Sequence, residues 1–286
     1  MYLKTTILSI AVVLLSKTSI CQTYSSETIQ ISTTYGDIQI KLFNETPLHK
    51  ANFLKLVREH FYDSLLFHRI IAGFMIQGGD PDSKLADSKK FLGDGDLKYT
   101  IPAEFVSTLC HKKGMLCAAR NGDDVNPTKA SSACQFYIVQ GKVRNDKELK
   151  DYERRINREV INKLKETYFS DSKNIWLQEK INHFKSIPNA DSLLFYSRIL
   201  DEKIDVLLDQ TQTPYYKFPT EHKAIYKTIG GTPQLDNNYT IFGEVILGLE
   251  VIDKIAAVPT SKGNDRDRPL TDVMIIKAKL VKRKKH

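Results

Sequence analysis

The sequence predicts a mainly β protein, a barrel or sandwich of about eight short strands interrupted by one long helical block. Three observations predict it. Short apolar or alternating runs recur between Gly, Asp, Asn and Pro signals. Two segments carry helical spacing with helix start or stop residues. One stretch, 142–224, holds none of the chain's 14 glycines.

The 286 residues are 41% hydrophobic and 27% charged, with a formal charge of +8. That balance excludes collagen-like, low-complexity and multi-span membrane proteins. Lys and Arg are spread along the chain, and the one dense run, 281–286, reads as a solvated tail rather than a nucleic-acid face.

In chain order, Lys4, the apolar run 7–15 and the polar end Ser19-Ile20-Cys21-Gln22 follow the n-, h- and c-region order of a secretory signal. Nine residues are too few to span a bilayer. Ser19 and Cys21 suit cleavage after Cys21, so 1–21 is set aside as a signal peptide and the protein is expected to be exported, periplasmic or envelope-associated. A lipidated Cys21 is the alternative; the bulky Ile20 before it argues against one. Export leaves Cys110, Cys117 and Cys134 where disulfides are permitted. Cys117 and Cys134 could pair if their segments are neighbouring strands, or all three could be buried thiols. Cys110-His111 with Cys117 lacks the second close pair of a zinc site, and Asn121-Gly-Asp123-Asp124 lacks the later Gly and Glu of a calcium loop, so no metal is expected.

Strands are expected at 28–32, 38–43, 67–70, 74–78, 114–118, 135–140, 239–245 and 273–280. Thr46 as cap and Pro47 at the first helical position open a helix carrying Ala51, Phe53, Leu54 and Val57, and a short second helix is expected over 249–256, ending before Pro259. Within 142–224 there are 16 Lys/Arg and 14 Asp/Glu, with apolar residues three or four apart, as at Ile156, Val160 and Leu164. Absence of glycine with that spacing predicts amphipathic helices, since an interior Gly costs a helix about 1 kcal/mol. The domain reading is a β unit of 22–141 and 225–286 with an inserted α-helical subdomain, 142–224.

No Gly-x-Ser-x-Gly, phosphate loop, dinucleotide turn or His-Glu-x-x-His is present. What stands out is Phe67-His68-Arg69-Ile70-Ile71-Ala72-Gly73-Phe74-Met75-Ile76-Gln77-Gly78-Gly79-Asp80-Pro81, which sets an Arg among strand-like apolar neighbours. A strand–turn–strand would bring Arg69, Met75 and Gln77 to one face beside Phe74, a small apolar pocket with a fixed cation; an Arg bridging strands to a buried carboxylate is the other reading.

This run resembles the signature segment of cyclophilin-type peptidyl-prolyl cis/trans isomerases. Gly114-Met115-Leu116-Cys117-Ala118-Ala119-Arg120 followed by Ser131-Ser132-Ala133-Cys134-Gln135-Phe136-Tyr137-Ile138 is similar to the family's second block, and Leu235-Asp236-Asn237-Asn238-Tyr239-Thr240-Ile241-Phe242-Gly243-Glu244-Val245 to its third. Tyr99-Thr100-Ile101-Pro102-Ala103-Glu104-Phe105 and Arg268-Pro269-Leu270 resemble bacterial members. The resemblance implies a closed eight-stranded antiparallel barrel capped by two helices. It implies an isomerase that acts on proline-containing peptides and unfolded client proteins, with no cofactor, no nucleic acid and no stable membrane span. Arg69 and Gln77 would be catalytic; Phe74, Met75, Ala119, Arg120, Gln135, Tyr137, Leu235 and Tyr239 would bind substrate. Gln234 stands where many eukaryotic members have Trp, and Tyr239 where many have His. A proline-peptide-binding chaperone module with little catalysis is the rival reading.

Overall fold

All eight expected β runs become strands of one antiparallel sheet. The computed structural model describes residues 28–281 apart from 89, 213 and 263–266, so the expected leader, Cys21 and the basic run beyond Val281 lie outside the described residues. The strands are β1 (Thr28–Thr33), β2 (Gly36–Leu42), β3 (Arg69–Ile71), β4 (Met75–Gly78), β6 (Met115–Ala118), β8 (Phe136–Val139), β9 (Ile241–Leu247) and β10 (Ile275–Val281). Two further strands of two residues, β5 (Thr100–Ile101) and β7 (Ser131–Ser132), pair separately.

The sheet is not the closed barrel that the resemblance implied. It runs β10-β1-β2-β9-β6-β8-β4-β3 as an open, curled half-barrel. The reason lies at β3. β3 has only three residues, and Ile70 N donates to Asp267 O at 3.0 Å, so a loop rather than β10 takes its outer edge. The gap is bridged just before β3, where Phe67 N donates to Val273 O and Ile275 N to Leu65 O, both at 2.8 Å, around the isolated bridge Leu66–Met274.

Period-two alternation decides which side chains enter the core. Ile29, Ile31, Ile38, Ile40 and Leu42 from β1 and β2 meet Leu116, Ala118, Phe136 and Ile138 from β6 and β8. Two helices close over them: α1 (Pro47–Arg58) buries Phe53, Leu54, Leu56 and Val57, and α7 (Leu249–Ala256) buries Val251, Ile252 and Ile255. The opposite faces of β6 and β8 are buried too, and Met115, Cys117, Tyr137 and Val139 join Met75 and Ile241 in a second, smaller cluster.

Thr46 precedes α1 as expected, yet its side chain makes no capping bond. Glu104, fifty-odd residues away, does the capping instead: its carboxylate accepts from Leu48 N and His49 N at 3.0 Å and from the His49 ring at 2.6 Å. A carboxylate on the first turn satisfies orphan N–H groups and complements the helix dipole.

The glycine-free block folds as α2 (Asp146–Ile156), α3 (Arg158–Ser170), α4 (Ile175–Ser186), α5 (Ala190–Gln210) and α6 (Thr220–Thr228), the last of which runs past the edge expected at 224. They do not share one core. Ile161, Leu177, Ile181, Leu200, Ile204 and Leu208 of α3–α5 pack with one another. Leu149 of α2 and Tyr226 of α6 pack instead with Phe218 and with Cys110 of the β-rich part. Among the described residues no helix is long and apolar enough to cross a membrane.

All three described cysteines are free and buried. β6 and β8 are neighbours, but Cys117 lies opposite Tyr137, and Cys134 precedes β8 with its thiol against Asp96 at 3.2 Å. Burial pushes the Cys110 thiol up to about 11 and the Cys134 thiol, beside Asp96, to about 12.

Candidate active site

Strand register builds the site. Arg69 of β3 lies directly across from Gln77 of β4, Gln77 from Tyr137 of β8, and Tyr137 from Cys117 of β6. Directly opposed residues point to the same face of a sheet, so a cation, an amide and a phenol stand in one row. The β3–β4 turn, with Gly73 at φ 74°, folds Phe74 back beside Met75 on that face.

These side chains wall a cavity of about 150 Å³. Arg69 and Gln77 form its polar edge; Phe74, Met75, Tyr137 and Leu235 are its apolar wall; Ala119, Arg120 and Tyr239 close the remaining side. Nine of the ten residues expected at the site therefore line one cup. Gln135 stands behind it as a relay. Arg69 Nη1 donates to Gln77 Oε1 at 3.3 Å, Gln77 Nε2 to Gln135 Oε1 at 3.0 Å, and Gln135 Nε2 to the carbonyls of Gly95 at 2.6 Å and Gly93 at 3.1 Å. Gly79 permits this layering: at φ 94°, a Cβ there would sit 2.2 Å from Cys134 O.

Arg120 is not a free second cation. Its guanidinium lies over the Tyr239 ring at 4.6 Å, donates to Asn238 O at 2.8 Å and pairs with Asp123 at 2.6 Å. The backbone of Ala119 is engaged within the protein, its N–H donating to Gln135 O and its carbonyl accepting from Ser132 N.

Asp267, Leu92 and Gly93 escaped the sequence reading. Asp267 Oδ2 lies 3.8 Å from Arg69 Nε. Its neighbour Arg268 anchors that loop by donating to Asp87 O and Lys90 O. The only hint was the Arg268-Pro269-Leu270 segment, which adjoins Asp267. Leu92 and Gly93 join His68, Arg69, Gln77 and Asp267 around a second cavity of about 310 Å³ sharing the Arg69–Gln77 wall. A larger cavity, about 350 Å³, lies among α2, α3 and α5, where charges are mutually paired, Arg154 with Asp201 and Asp205 and Lys217 with Asp209.

Burial shifts two groups in and beside the cup. Burial, helped by the Cys117 thiol and Tyr239, holds the Tyr137 phenol well above its usual range. Burial, then the positive Arg69 and Arg268, lowers His68 to about 4. His68 thus stays neutral in the folded protein while its unfolded form takes a proton below about 6.5. Its contribution to stability is complete above that pH and is lost as pH falls toward 4, a change of about 3 kcal/mol. Denaturant midpoints of wild type should therefore drop more steeply between pH 7 and pH 4 than those of His68→Gln. Parallel curves would contradict this account.

A fixed cation at the rim of an apolar cup suits stabilising transient electron density.

The model of the family described as cyclophilin type peptidyl-prolyl cis-trans isomerase/CLD matches residues 28–169 and 223–280. A proposed bifunctional phosphatase/peptidyl-prolyl cis-trans isomerase of Streptococcus pyogenes is 27% identical over 257 residues, 89% of this chain and 38% of that protein. Peptidyl-prolyl cis-trans isomerase-like 3 of Dictyostelium discoideum is 37% identical over 119 residues, 41% of this chain and 67% of that protein. A proposed peptidyl-prolyl cis-trans isomerase of Staphylococcus aureus is 26% identical over 248 residues, 86% of this chain and 88% of that protein. The chain thus spans well under half of the streptococcal relative and most of the staphylococcal one.

Proposed function

The chain belongs to the cyclophilin-type peptidyl-prolyl cis-trans isomerases, and from that membership we propose that it accelerates X–Pro bond rotation in exported proteins as they fold. The observation that carries the proposal is the Arg69 guanidinium, tied to Gln77, at the rim of the cup walled by Phe74, Met75, Tyr137 and Leu235. The export part is supported by the leader-like order of residues 1–21.

A peptide bond resists rotation by about 18–20 kcal/mol because the nitrogen lone pair is delocalised into the carbonyl. X–Pro bonds consequently isomerise over tens to hundreds of seconds. In the twisted transition state the lone pair returns to nitrogen. Arg69 then donates to an acceptor that hardly exists in the ground state, so its bond strengthens only where rate is gained. The apolar wall grips the prolyl ring while the preceding carbonyl swings. With Ala119 engaged inside the protein, the backbone of Arg120 is left to hold the residues before proline. An Arg suits the task because it keeps its charge and its planar fork is met by Gln77 and by the Asp267 carboxylate.

The test is the cis-to-trans rate of a short X–Pro peptide with residues 22–286. Acceleration supports the proposal. Saturable peptide binding with no acceleration would favour the binding-module reading. A further expectation concerns inhibition. Gln234, partly buried beside the cup, offers neither the ring face nor the indole donor that resembling members present to cyclosporin. Titration should show weak cyclosporin binding, and tight binding would mean that Gln234 does not occupy that place.

A further inference from the structure

Behind the cup lies a buried polar cluster that the isomerisation mechanism does not use. Asp236, directly after Leu235, is 5% exposed, and its carboxylate collects three donors from two parts of the chain. His111 gives its backbone N–H to Oδ1 at 2.9 Å and its ring Nδ1 at 2.8 Å. Tyr226, fully buried on α6, gives its hydroxyl to Oδ2 at 2.6 Å. The His222 ring, also on α6, stands 4.0 Å from the same oxygen. A buried carboxylate is tolerated only when its oxygens are satisfied, so this cluster constrains the backbone that carries it.

That backbone is the cup. Leu235 ends a 3-10 turn, Pro233–Leu235, pinned by Leu235 N to Thr232 O at 3.1 Å and by Thr232 N to His111 O at 2.9 Å. The His111 ring stacks on Tyr137, 12° from parallel at 6.3 Å. Asp236 therefore touches both halves of the apolar wall, Leu235 through the chain and Tyr137 through His111. The remaining donor comes from the helical block. α6 is set by Phe218 and Leu149 packing on Tyr226 and by Arg144 N donating to Tyr226 O at 2.9 Å.

We propose that Tyr226 is a positioning residue for the proline cup, and that through the Tyr226–Asp236–His111 cluster the last helix of the helical block fixes the wall formed by Leu235 and Tyr137. The proposal rests on reading the cup as the prolyl site. Without the phenol, the carboxylate must turn toward another donor, and the wall loosens while Arg69, held by Gln77 on other strands, stays in place. Loss of grip on the ring weakens ground and transition states alike, which appears in KM and not in kcat.

The experiment measures kcat and KM on an X–Pro tetrapeptide for wild type, Tyr226→Phe, Asp236→Asn and the double variant, well below their melting temperatures. Tyr226→Phe should raise KM about three- to ten-fold with kcat within about two-fold. The double variant should be no worse than the worse single, because the residues act as one unit. Wild-type constants in Tyr226→Phe, a fall in kcat at unchanged KM, or additive losses in the double variant would overturn the proposal. Should Tyr226→Phe fail to fold, Asp236→Asn carries the same KM test. A wild type without isomerase activity would instead sink the reading of the cup itself.

Discussion

Arg69→Ala should lower kcat on an X–Pro tetrapeptide by about 100-fold or more while leaving KM and the melting temperature close to wild type. Removing one preorganised donor to developing charge costs other enzymes about 10²–10³ in rate. Here the donor meets a lone pair that exists only in the twisted state, so ground-state binding loses little. The side chain is 35% exposed and outside both strand cores, so the fold does not depend on it. Arg69→Lys should fall between the two, since an ammonium keeps the charge and gives up the planar fork that meets Gln77 and Asp267. Near wild-type kcat in Arg69→Ala would remove the cation from the mechanism. A large rise in KM alone would make Arg69 a substrate anchor.

The strands were readable because an alternating or apolar run is a local signal, which four or more residues suffice to carry. β5 and β7 were missed because two residues cannot express a period. The start of α1 was readable from Pro47, but not its cap, since Glu104 reaches it through tertiary structure. Closure failed for a related reason. The free edge of β3 is taken by Asp267, a contact between residues nearly two hundred positions apart. At the site, Arg69, Gln77 and Met75 were placed on one face by the hairpin alone, whereas Tyr137 and Leu235 were reachable only through family resemblance. Asp267 and the Asp236 cluster had no local signature, because each draws its meaning from the segment it meets.

Composition puts the edges of the helical block at 142 and 224, but α3–α5 share a core of their own inside them, and removing one or the other should give opposite results. Asn157 Nδ2 donates to Tyr216 O at 2.8 Å and Tyr216 N to Asn157 Oδ1 at 2.7 Å, so the chain returns beside its starting point there. Everything between, α3 to α5, has its own core. Replacing 158–215 by a short Gly-Ser linker should leave kcat/KM on a tetrapeptide within about three-fold of wild type. Joining Gly141 to Ile225 cuts through α6 and removes Leu149 and Phe218 from around Tyr226 and Cys110. Stripping large apolar side chains from a buried cluster costs about 2–5 kcal/mol each. It also frees the helix that delivers the Tyr226 hydroxyl to Asp236. That variant should lose at least ten-fold in kcat/KM or fail to fold, as read by activity and by its melting transition. Equal activity of the two truncations would show that α2 and α6 are as dispensable as α3–α5. Loss in both would show that α3–α5 brace the cup through contacts other than the Asp236 cluster.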